Sequence, residues 1–130
     1  MVGRPVVFAI AAVTLLGACA DVRKNAVTQI TPAEAKELRI VAAQLYKNYR
    51  LKPAPEYLPL KTTAWPPRLK KFKPMRIGLY NDGVVLALDG DAGTEQGLHI
   101  LPIAMDLAPS RGRVTYEKIQ EGVYWYQLGK

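Results

Sequence analysis

His99 is the only histidine in the chain, and it lies between Leu98 and Ile100 in a stretch that alternates like a strand. One imidazole does not make a multi-histidine metal site. A nucleophilic triad would have to join His99 to Ser110 and an aspartate. Ser110 stands in Pro109-Ser110-Arg111-Gly112, which is turn sequence and carries no G-x-S-x-G elbow. The acidic stretch Asp89-Gly90-Asp91-Ala92-Gly93-Thr94-Glu95 spaces carboxylates as a calcium loop does. It departs from the EF-hand pattern at Gly93, where an oxygen side chain is needed, at Thr94, where glycine is needed, and at Ile100, where glutamate is needed. Asp and Gly are ordinary turn residues, so a solvated turn is the expectation. These residues call for no catalytic site, no metal and no cofactor, and the chain is read as a non-enzyme. A weakly signalled periplasmic hydrolase built on His99 stays as the third alternative.

Cys19 is the only cysteine, so it has no disulfide partner within the chain. It closes a segment that begins with Arg4, runs apolar from Val6 to Leu16 except at Thr14, and ends in small residues. That order is the order of a secretory signal. The apolar run is about half of the roughly 20 residues a spanning helix requires, and Asp21, Arg23 and Lys24 follow it directly. Ala18-Cys19-Ala20 also reads as an A-x-A site, whose cleavage would release a soluble protein. A lone thiol in an oxidising compartment is a liability unless it is used, which favours modification of Cys19.

Leu16-Gly17-Ala18-Cys19 resembles the lipobox of bacterial lipoproteins at each of its four positions. The resemblance implies a signal peptide over residues 1–18 and acylation of Cys19 as the first mature residue. It also implies a protein anchored to the lipid bilayer rather than spanning it. Ala20 rather than aspartate follows the cysteine, which by the same resemblance places the anchor in the outer membrane, facing the periplasm.

Removing residues 1–18 leaves 112, enough for one modest domain. From Cys19 to Arg76 there are 13 Lys or Arg against 4 Asp or Glu, whereas residues 77–130 have 4 against 7. A basic half usually meets nucleic acid or membrane. An exported protein meets little nucleic acid, so the expected partners are an envelope protein or an anionic envelope polymer or headgroup.

The elements that would position these groups follow in order. Residues 19–30 are polar and aperiodic, and read as a lipidated tether. Residues 31–130 form the single globular domain. Thr31, Pro32 and Glu34 write a capping box for a helix over 31–50. Leu38, Val41, Ala42, Leu45 and Tyr49 fall on its core side. The same wheel gathers Lys36, Arg39, Lys47 and Arg50 on an adjoining flank, a candidate surface for an anionic partner. Residues 52–74 hold six prolines and read as an extended crossover lying in part against the domain. From residue 75 the period becomes two, predicting about five short-linked antiparallel strands, with 90–97 as a loop. The fold class expected is α+β, one N-terminal amphipathic helix packed on that sheet. Within the last strand Tyr124 and Tyr126 alternate with Trp125. If the helix covers the Trp125 side, the two tyrosines form an aromatic platform suited to cell-wall glycan, the second functional reading.

Overall fold

The structure is a computed structural model that describes residues 19–49, 57–91, 93–103 and 112–129, with side chains from Lys24 onward and none for Asp91. The expected signal peptide (1–18), Arg50, most of the proline-rich crossover's first part and Ser110 lie outside the described residues. The fold is α+β: a six-stranded antiparallel sheet with helices on one face.

Two helices come first, α1 (Cys19–Thr28) and α2 (Pro32–Asn48). Thr31 caps α2, its hydroxyl accepting from the Glu34 N–H at 3.1 Å, and Pro32 takes the first-turn position where no N–H is needed. Strand β1 (Tyr57–Pro59) and a single 3-10 turn (Thr62–Ala64) lead to the short helix α3 (Pro67–Lys70). Then come β2 (Arg76–Tyr80), β3 (Gly83–Asp91), β4 (Thr94–Ile100), β5 (Val114–Gln120) and β6 (Val123–Leu128).

The strand order is β1-β2-β3-β4-β6-β5. Six strands replace the expected five because three residues of the crossover pair with β2, Tyr57 opposite Tyr80 and Pro59 opposite Gly78. Pro59 is tolerated there since β1 is an edge strand and its missing N–H breaks no inner ladder. The expected loop over 90–97 is mostly strand instead: β3 and β4 continue pairing out to Asp91 and Thr94, past a bulge between Ala87 and Asp89. Turn residues did not end the strands because the backbone bonds of the neighbouring strand were available to them.

The core lies on one sheet face. Ile77, Leu79, Val84, Leu86, Leu98, Ile100, Val123 and Trp125 alternate inward, and Ala35, Leu38, Ala42 and Leu45 of α2 and Leu69 of α3 close over them. Val41 and Tyr49 pack on its margin.

Residues 19–30 are not a free tether. Helix α1 buries Val27, and Ile30 beyond its end, both 3 % exposed. Lys24 pairs with Glu117 at 2.7 Å, and the Gln120 side-chain amide donates to the Ile30 carbonyl at 3.2 Å. Two apolar anchors make no readable helical stripe, which is why periodicity missed the element. They nevertheless supply roughly 1.5–3 kcal/mol each on burial, whereas the exposed ion pair adds at most about 1 kcal/mol. Val27→Ala is therefore expected to cost about 2 kcal/mol. Its signature is faster amide exchange over residues 24–30 with the sheet unchanged, while Lys24→Ala leaves exchange within a few-fold of the parent.

Candidate functional site

Arg39 ties α2 to the segment after β4 and is not on an exposed stripe. It is 7 % exposed. Its Nε–H donates to the Leu101 carbonyl at 3.1 Å and its terminal amino group to the Pro102 carbonyl at 3.2 Å. Its own carbonyl accepts from the Ile103 N–H at 3.1 Å. The guanidinium lies over Gly122, whose φ of 72° suits the β5–β6 turn and whose missing Cβ would otherwise strike it. A helical wheel places Arg39 beside Lys36 and Lys47 but says nothing of the segment after β4 that wraps over it. The expectation of a four-residue cationic surface is corrected accordingly: Lys36 and Lys47 are exposed, Arg39 is a buried clamp, and Arg50 lies outside the described residues.

Beside this clamp is a pocket of about 240 Å³, with Lys36 and Arg39 on one wall, Glu121 on the rim, and Pro32, Ala35 and Ile103 as its apolar lining. Glu121 stays anionic: a hydrogen bond from Lys118 holds its carboxyl below the usual carboxylate range, helped by the Lys118 charge and, to a smaller extent, by that of Arg39. The pocket presents the exposed cation Lys36, which forms no ion pair among the described residues, next to apolar surface. It suits a short segment with an acidic group beside an apolar one, and its lining among the described residues holds no histidine, cysteine or serine. Ile103 and Glu121 escape sequence reading, since they stand more than 60 positions from Arg39 and meet it only through the fold.

The tyrosine platform is corrected as well. Trp125 is in the core at 1 % exposed and both tyrosines face the other side of the sheet, but Tyr126 is only 4 % exposed there. Its hydroxyl donates to Glu95 at 2.6 Å, and Glu95 also accepts from Arg76. Register explains the reach: Arg76, Ala87, Gly97 and Tyr126 stand opposite one another across four strands, and the two middle residues are too small to block it. Tyr124 is half-buried with its ring 6.3 Å from that of Tyr116 in an edge-on arrangement. Tyr126 therefore offers no free flat face of the kind a sugar stacks on, and the pair does not form a platform.

His99, 1 % exposed, has Nε2 2.7 Å from the Asp82 carbonyl. A carbonyl only accepts, so Nε2 carries the proton and the ring ties β4 to the β2–β3 turn. Tyr116 meets the ring edge-on at 5.4 Å. The acidic stretch is a hairpin in which Asp89 accepts from the Gly90 N–H at 2.8 Å, and among the described residues no three His, Cys, Asp or Glu side chains converge on a metal position. No helix among them is long and apolar enough to cross a membrane.

Compared with known protein families, with curated proteins and with solved structures, the chain matches none.

Proposed function

We propose that this chain is a small lipid-anchored protein of the bacterial cell envelope, held in the outer membrane facing the periplasm, with a binding or structural role towards another envelope component and no catalytic activity. What supports the anchor is the junction at Cys19. Upstream stands the lipobox-like Leu16-Gly17-Ala18 after an apolar run, and Cys19 is the only cysteine in the sequence. Acyl chains on Cys19 would insert with about 0.8 kcal/mol per buried methylene, and two or more of them hold a protein almost irreversibly. Because α1 is docked by Val27 and Ile30, such an anchor would hold the domain at a bilayer surface with little slack. The partner-binding role is supported by the pocket at Lys36, Ile103 and Glu121.

Cys19→Ala is the test. The expected result is loss of the protein from the membrane fraction, or accumulation of an unprocessed chain, with mass spectrometry of the parent showing an acylated N-terminal cysteine. An unmodified mature N-terminus at Asp21 overturns the anchor.

A further inference from the structure

We propose that the turn joining α3 to β2 is a second membrane contact, which meets anionic phospholipid headgroups alongside the acyl anchor. The nearness of a bilayer rests on the anchor reading above; the turn itself supplies the rest.

Residues 61–76 contain Lys61, Arg68, Lys70, Lys71, Lys73 and Arg76 and not one Asp or Glu. Three of these cations are already engaged: Arg68 with Glu37 at 2.6 Å, Lys71 with Glu34 at 2.6 Å, and Arg76 with Glu95. Lys70 and Lys73 are exposed and form no ion pair among the described residues. Between Lys73 and Arg76 stands Met75, 55 % exposed and the most exposed large apolar side chain described. A flexible thioether flanked by cations is suited to the boundary between headgroup and acyl chain.

The display is rigid. Leu69 is fully buried beneath the turn, Phe72 packs on the core margin, and the Lys73 N–H donates to the Lys70 carbonyl at 2.9 Å. Lys73 has φ 54°, the one positive value at a non-glycine residue among those described. That conformation favours glycine or asparagine, yet a lysine occupies it.

Position completes the argument. Beyond Ile30 at Gln120 and Lys24 at Glu117, α1 comes against β3, so its Cys19 end continues about 7.5 Å past Lys24 across the sheet towards the β3–β4 end. Met75, whose N–H donates to the Ala87 carbonyl at 2.7 Å, extends β2 backwards. By register both lie towards the sheet end that holds the β3–β4 turn. Two cations and one methionine are a weak lipid site alone, but the anchor raises their local concentration at the surface, so weak contact suffices. Two points of contact would fix the tilt of the domain and turn the Lys36–Glu121 pocket, at the other sheet end, away from the bilayer.

The test uses the acylated chain reconstituted into vesicles of phosphatidylcholine alone or with added phosphatidylglycerol. Amide exchange over residues 70–75 is expected to slow only on the anionic vesicles, and to recover as salt is raised. Lys70→Gln with Lys73→Gln should weaken the contact by roughly fivefold per cation, about twenty-fivefold together, while the protein stays in the vesicle fraction. Lys36→Gln with Lys47→Gln should leave the protection as in the parent. Equal protection on both vesicle types, no protection on either, or protection that survives the Lys70/Lys73 change overturns the second contact. A chain that fails to stay with the vesicles overturns the anchor instead.

Discussion

Arg39→Glu is expected to destabilise the domain by more than about 4 kcal/mol in urea denaturation, enough to unfold much of it at 25 °C if the parent is only moderately stable. The substitution puts a carboxylate where the Leu101 and Pro102 carbonyls now receive two charge-assisted hydrogen bonds at 3.1 and 3.2 Å, so attraction becomes repulsion in a site that is only 7 % exposed. Arg39→Leu separates charge from packing. It keeps most of the bulk over Gly122 and leaves two carbonyls unanswered, at about 2–4 kcal/mol. Lys36 and Lys47 lie on the same helix but are exposed, so Lys36→Glu and Lys47→Glu should each stay within about 0.5 kcal/mol of the parent. If Arg39→Glu behaves like Lys36→Glu, the segment after β4 is not held by the guanidinium.

Gly97→Ala is the second large effect, and it acts through backbone rather than charge. A Cβ at position 97 would drive into the Leu86 carbonyl oxygen and come within 3.0 Å of the Leu88 nitrogen. Both belong to β3, at the bulge between Ala87 and Asp89. Side chains can rotate away from an added methyl, but these main-chain atoms are fixed by pairing to β2 on one side and β4 on the other. The expected cost is about 3 kcal/mol or more, at the upper end of overpacking effects, together with faster amide exchange on β3 and β4. Gly112→Ala is the control: nothing stands within 4 Å of its Cβ position, and it should be close to neutral. A near-neutral Gly97→Ala would show that β3 can flatten its bulge.

Much of the framework could be read from local signals. Thr31, Pro32 and Glu34 start a helix because an orphan N–H needs an acceptor and a missing N–H is harmless there. Period-two alternation around Asn81-Asp82-Gly83 and Gln120-Glu121-Gly122 marks two hairpins, since inward residues recur every second position on a pleated strand. The misreadings have one origin. Residues 19–30 looked like a tether because two buried side chains, Val27 and Ile30, set no period. Residues 57–59 looked like crossover because their proline and short length gave no strand signal, yet β2 offered an open edge.

The α+β class, the Thr31 cap and the two-residue alternation of the strands are legible in the sequence, because each depends on a residue's own chemistry or on spacing along a few turns. Only the tertiary structure decided which charges are free. Arg39 and Lys36 differ by three residues on one helix and are alike in sequence, but Leu101, Pro102 and Gly122 close over the first and leave the second in water. Tyr126 likewise is taken from the surface by Glu95, which reaches it across Gly97 because that position has no side chain. Burial and pairing of a polar group depend on residues brought near it by the fold from tens of positions away, and local periodicity carries no record of them.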